Sequence, residues 1–186
     1  NRLYKGYAFE NMPKSLYCHL KSLNLAEKTG PCSELVHSYI LGGIIWALVP
    51  CKYRSLRDSS KGLQIALRIN DRLREGGAYL GMSLIYFMFN RHEKGLEHSR
   101  KAISILKGLG EYWDLGVAYV FRVQLCIFSG RLNEALMISE EFLSSAKEIN
   151  ALQNLGWSLM MRGKVLTLIG DLTDSAINEI KESIDL

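Results

Sequence analysis

The sequence has 186 residues, enough for one domain with its own core, and its 48% apolar and 23% charged residues are those of a globular chain rather than a disordered one. Its net charge is only +4, carried as 17 Lys/Arg against 8 Asp/Glu in residues 1–107 and 6 against 11 thereafter; no basic cluster with interleaved aromatics accompanies the excess, so nucleic-acid binding is not expected. The most apolar stretch, residues 39–51, is too short to span a bilayer, and Cys18, Cys32, Cys51 and Cys126 show neither CxxC nor zinc-finger spacing, so a reduced, cytoplasmic protein away from membranes is expected.

In chain order, residues 1–9 read as the tail of a helix, and a second helix is expected over 13–29. There follow helices over 33–49, 53–69, 71–89, 92–109, 111–129, 132–149, 151–169 and 172–186. Apolar residues at three- and four-residue steps support them, as in Leu132, Leu136, Ile138, Phe142, Leu143 and Ile149. Only three prolines interrupt the chain, which favours an all-helical reading. Short turns make neighbouring helices antiparallel.

The elements repeat with a period of forty. The segments ENMPKSL, PCKYRSL, NRHEKGL, GRLNEAL and GDLTDSA begin at Glu10, Pro50, Asn90, Gly130 and Gly170. Their sixth residue is always small: Ser15, Ser55, Gly95, Ala135 and Ser175. Gly30, Asn70, Gly110 and Asn150 share another phase, and both residue types tolerate the left-handed conformation that closes a helix. Gly76, Gly116 and Gly156 align, as do Tyr39, Tyr79 and Tyr119. Each unit is thus a helix pair, A then B, and the small column lets the B helix approach the preceding A helix. The whole chain reads as one solenoid, 1–186, of about four and a half repeats with turns near 10, 50, 90, 130 and 170. Its uncapped ends lead to the expectation of a fragment from a larger protein.

GRLNEAL and GDLTDSA resemble the turn and B-helix start of tetratricopeptide repeats, with Gly130, Leu132, Glu134 and Ala135 matching well and Gly170, Leu172 and Asp174 after them. The chain departs from that family in its forty-residue unit, in lacking the proline that often ends helix B, and in having Gly42, Met82, Arg122 or Arg162 where a leucine is usual. Units of this length are similar to those of the bacterial maltose-operon activator. SLNLAEKTGPCSELVHSYILGG and GLGEYWDLGVAYVFRVQLCIFSGRLNEAL are similar to the helical region of large bacterial signalling proteins that join an ATPase module to a cyclase or kinase. The resemblance implies an all-α, right-handed superhelix of antiparallel helix pairs.

Residues that carry chemistry are sparse. The stretch RHEKGLEH holds His92 and His98 six apart, on different helix faces, so a metal site is not expected. There is no GxxxxGK[ST], no GxSxG and no strand-borne GxGxxG. No catalytic residue, metal or cofactor is expected. Trp46, Trp113, Trp157, Tyr86, Phe87 and Phe89 all fall in A helices and are expected as core between stacked pairs.

Function is expected on the A-helix face that the resemblance makes concave. That pattern places Gly77, Leu80, Leu84, Phe87 and Met88 there, then Val117, Val120, Gln124, Ile127 and Phe128, then Trp157, Met160, Lys164, Thr167 and Leu168. His37, Ile40, Ile44, Ala47 and Leu48 represent the second unit. The partner-binding candidates are Leu80, Leu84, Phe87, Val120, Gln124, Phe128, Trp157 and Lys164. So apolar a face suits an amphipathic helix or peptide, a domain of the parent protein, or a second copy in a homodimer; winding of the solenoid would otherwise close it. The chain reads as an interaction or regulatory scaffold of a signalling protein, with a sugar-like ligand sensor built on Trp157, Gln124 and Lys164 as the alternative.

Overall fold

Every twenty residues the backbone passes through a left-handed residue: Gly30, Pro50, Asn70, Asn90, Gly110, Gly130, Asn150 and Gly170 all have positive φ. A Cβ clashes with the backbone in that conformation, and glycine and asparagine accept it at least cost. Pro50 is the departure, since its ring prefers a φ near −65°. The turns close by the bonds such caps allow. The Asp71, Arg131 and Ala151 N–H groups donate back to the carbonyls of Ala66, Cys126 and Ala146 at 3.1, 2.9 and 3.3 Å.

This punctuation sets the helices. The computed structural model describes residues 12–170 together with 177, 178, 181 and 182. Among the described residues there are eight helices: α1 (Met12–Thr29), α2 (Ser33–Leu48), α3 (Lys52–Arg68), α4 (Arg72–Met88), α5 (His92–Leu109), α6 (Tyr112–Phe128), α7 (Leu132–Glu148) and α8 (Leu152–Ile169). Each lies within one residue of its expected bounds. The expected tail over 1–9, the turn near 10, the Ser15 side chain and most of the helix over 172–186 lie outside the described residues. No helix of the described residues is long and apolar enough to cross a membrane.

Packing divides the chain into two units, Asn1–Phe89 and Asn90–Leu186. In the first, the A helices α2 and α4 pack on each other, and α2 also packs on both B helices, α1 and α3. Its core joins Val36 and Ile40 to Ala66 and Ala78, and Leu35 and Tyr39 to Ala26. The expected close approach of A and B helices is present. Ser55 is fully buried, and its hydroxyl donates to the Gly43 carbonyl at 2.7 Å. A Cβ on Gly43 would meet the Ser55 carbonyl oxygen and Ser59 Cβ, each at 3.0 Å, so the pair has no room for larger residues.

The second unit repeats the plan, with A helices α6 and α8 stacked and B helices α5 and α7 packed on α6. Tyr119 and Phe142 stack at 4.9 Å, almost parallel, and both are fully buried. Where α6 crosses α8, a Cβ on Gly116 would lie 2.2 Å from Asn154 Oδ1, so glycine is required there. Asn154 is buried and uses its amide to donate to the Tyr112 carbonyl at 2.8 Å. Ala135, in the small column, is fully buried on α7.

Candidate functional site

Successive A helices that stack in register bring residues forty apart together. Gln124 of α6 and Lys164 of α8 meet in this way, the Lys164 ammonium donating to Gln124 Oε1 at 3.1 Å. The Gln124 amide in turn donates to Met161 Sδ at 3.7 Å. Helical spacing puts Val120 and Phe128 on the same side of α6 as Gln124, and Met160 and Leu168 on the same side of α8 as Lys164. Phe128 is 59% exposed, Leu168 49% and Met160 41%, whereas Val120 is half-buried. The second unit therefore gathers five candidates, Val120, Gln124, Phe128, Trp157 and Lys164, along two adjacent helices. Leu80, Leu84 and Phe87 run along α4 of the first unit and are each half-buried.

The row has a polar centre and apolar flanks. Its cation, Lys164, is held by a neutral amide rather than a carboxylate. Phe128 meets the edge of the His92 ring at 6.4 Å. Trp157 is half-buried with its ring edge-on to Trp113 at 5.1 Å. It lies seven residues, about 10 Å of helix, from Lys164. Of the three groups of the sugar reading, Trp157 and Lys164 are thus separated along α8, while Gln124 of α6 is bonded to Lys164.

Several aromatic assignments are corrected. Trp46, Tyr86, Phe87, Phe89 and Trp157 are half-buried rather than core, and Trp113 is 58% exposed. The physical reason is that these rings lie in the seams beside the helices rather than at their centre: Trp157 rests against Gly116, where a Cβ would lie 3.1 Å from its Cε3, and remains partly open to water. The Arg54 guanidinium covers the Trp46 ring at 4.8 Å. Trp113 was missed as a neighbour of Trp157, although it stands one turn before Val117, the residue forty before Trp157.

The titratable groups elsewhere are structural in their contacts. His92 opens α5, and His98 Nδ1 lies 2.8 Å from the Lys94 carbonyl. No cluster of His, Cys, Asp or Glu among the described residues has metal-holding geometry. His19 of α1 is buried, and its pKa is lowered by burial and then by His37, against the pull of Asp58. Asp58 is itself buried beside the Arg57 guanidinium at 2.9 Å. Burial pushes the Cys126 thiol up to about 11, with the Glu134 charge adding to the shift. Asp71 caps α4 by accepting from the Arg74 N–H at 3.0 Å. Burial would raise its pKa, but this bond and that from the Ser33 hydroxyl hold it below the usual carboxylate range.

No family model and no curated protein sequence matches this chain. Among solved structures, the crystal structure of BtubC (BKLC) from P. vanneervenii superposes with a TM-score of 0.77 at 13% sequence identity, covering 98% of this chain and 76% of that one. At such an identity the likeness is one of fold, and with the helix pairs above it places the chain among all-α, solenoid-type helical-repeat proteins.

Proposed function

We propose that this chain is a protein-interaction module of the tetratricopeptide type, in an extended forty-residue form, that holds an amphipathic helix or peptide against its A-helix face. The observation that carries the reading is the exposed apolar row Phe128, Met160 and Leu168, continued by half-buried Val120 and Trp157 around the Gln124–Lys164 bond. A row of this kind costs free energy in water and is repaid when another apolar surface covers it. The equally apolar Leu80, Leu84 and Phe87 of α4 give the first unit a face of the same chemistry. The role is scaffolding without catalysis, in a cytoplasmic signalling protein, with the partner a separate chain or another domain of the parent. The sugar-sensor alternative has no comparable observation in its favour, because Gln124 and Lys164 bond each other and Trp157 is packed edge-on to Trp113.

The test is selection of amphipathic helical peptides displayed on phage against the protein. Binders enriched on the wild type should lose at least about tenfold in affinity when Phe128→Asp and Leu168→Asp are combined, since central apolar anchors dominate such contacts. Met137→Asp, at an exposed position on α7, should leave them unchanged. Peptides that bind equally to all three proteins would remove the face from the account.

A further inference from the structure

The repeat supplies an internal comparison away from the A-helix face. In the first unit, B helices α1 and α3 do not pack directly on each other among the described residues, and α2 floors the groove between them. The groove is an open depression of about 610 Å³, lined by Glu27, Gly30 and Pro31 at the end of α1, Leu35 and Tyr39 of α2, and Lys61, Gln64, Ile65 and Arg68 of α3. That volume falls in the range of small-molecule sites, roughly 300–1,000 Å³.

Two repeats later, the groove between α5 and α7 over α6 has the same architecture and the opposite charge. Advancing each number by eighty turns Lys61 into Glu141, Arg68 into Glu148 and Glu27 into Lys107, while Leu35 and Tyr39 become Leu115 and Tyr119. The tyrosine reports the reversal. The Tyr119 hydroxyl donates forward to Glu141 on α7 at 2.7 Å. The Tyr39 hydroxyl donates backward to Glu27 on α1, also at 2.7 Å, and its ring instead carries the Lys61 ammonium at 5.5 Å. The leucine and tyrosine of the floor are thus kept, Ser145 stands where Ile65 does, and the charged groups above are exchanged.

The exchange leaves cations unspent. Glu27, the carboxylate in the lining, is already an acceptor for Tyr39. Lys61 makes its contact with a ring rather than a carboxylate, and Arg68 makes no ion pair among the described residues. Lys61, Gln64 and Arg68 recur at three and four residues, so they line one side of α3 above Leu35, Tyr39 and Ile65. The described residues of the first unit, 12–89, hold 10 Lys/Arg against 5 Asp/Glu, which raises the local concentration of anions further.

We infer that the groove between α1 and α3 is a binding site for a small organic anion, a carboxylate or phosphate monoester with an apolar body. Its charged head is held by Lys61 and Arg68, with Gln64 donating between them. Its apolar body lies on Tyr39, Leu35 and Ile65. The α5–α7 groove, with Glu141 and Glu148 in the matching places, repels the same ligand.

The experiment is a titration of the whole chain followed by amide NMR, with phenyl phosphate, benzoate, inorganic phosphate and phenol as probes. Saturable shifts at Leu35, Tyr39 and Ile65 are expected with phenyl phosphate or benzoate, and the stronger of the two identifies the head group. Inorganic phosphate and phenol, each lacking half the ligand, should bind at least about tenfold more weakly. Lys61→Glu with Arg68→Glu, which places carboxylates where the other groove has Glu141 and Glu148, should weaken binding by at least about tenfold. Both positions are exposed, so the fold should survive, and Lys61→Gln with Arg68→Gln provides a milder check. The absence of saturable shifts in the groove, equal binding of phenol, or affinity unchanged in both double variants would overturn the assignment.

Discussion

Ala135 has no exposed surface on α7, where five repeats place only Ser, Gly or Ala. A leucine there would need space that close-packed helices do not have, and Ala135→Leu is expected to cost about 1–3 kcal/mol; a thermal melt unchanged from the wild type would refute the packing. Cys126 is likewise enclosed, with its thiol pushed up to about 11, whereas Cys18, Cys32 and Cys51 are half-buried. Ellman's reagent at pH 8 should therefore spare Cys126 until denaturant is added; four thiols titrating together in the native protein would contradict its burial. His19 and His98 both have pKa values lowered by burial, opposed respectively by Asp58 and by the Lys94 carbonyl. Their neutral forms belong to the fold. Stability from this source is present above the unfolded pKa of about 6.5 and is lost as pH falls towards the folded values. The urea midpoint should fall between pH 7.5 and 5.5, and a flat profile would show that neither ring is held neutral.

At the scale of elements, a left-handed residue every twenty positions sets the lengths of the helices. Asn150, at φ 50°, is expected to lose about 1 kcal/mol on change to Ala and to lose nothing, or gain slightly, on change to Gly. Equal melting of the two variants would mean that the turn does not depend on that conformation. These boundaries were legible because Gly and Asn recur in phase, and a backbone requirement leaves its mark at single positions. Ser59, Ser99 and Ser139 form a second small column one turn after the first, fully buried, and were overlooked although they too recur every forty residues. Their hydroxyls return to backbone carbonyls of their own helices, as Ser139 does to Leu136 at 2.7 Å, so a polar residue looks solvent-facing in sequence yet packs as a small one. The tryptophans were misplaced for the converse reason. Size favours a core, but Trp157 lies in the seam between stacked A helices, where Gly116 leaves it room and water still reaches it.

At the scale of the whole molecule, the helix-pair architecture is repeated in both units, and their surface charge is not. The A-helix face was legible as a row of apolar residues at helical spacing, and the meeting of Gln124 with Lys164 follows directly from the forty-residue register. The α1–α3 groove was not legible, because Glu27, Tyr39, Lys61 and Arg68 come from three helices and look in sequence like ordinary surface and core residues. If the A-helix face is open to a different chain, light scattering should give a mass near 21.1 kDa across a hundredfold range of concentration. A mass near twice that value, reduced by Phe128→Asp, would assign the face to a second copy instead. The most direct measurement places a photo-crosslinking phenylalanine analogue at position 128, at 168, or at 140 on the exposed side of α7, in the cell that makes the protein. The account predicts one shared adduct from 128 and 168 and none from 140; adducts equally strong at 140, or none at 128 and 168, would contradict it.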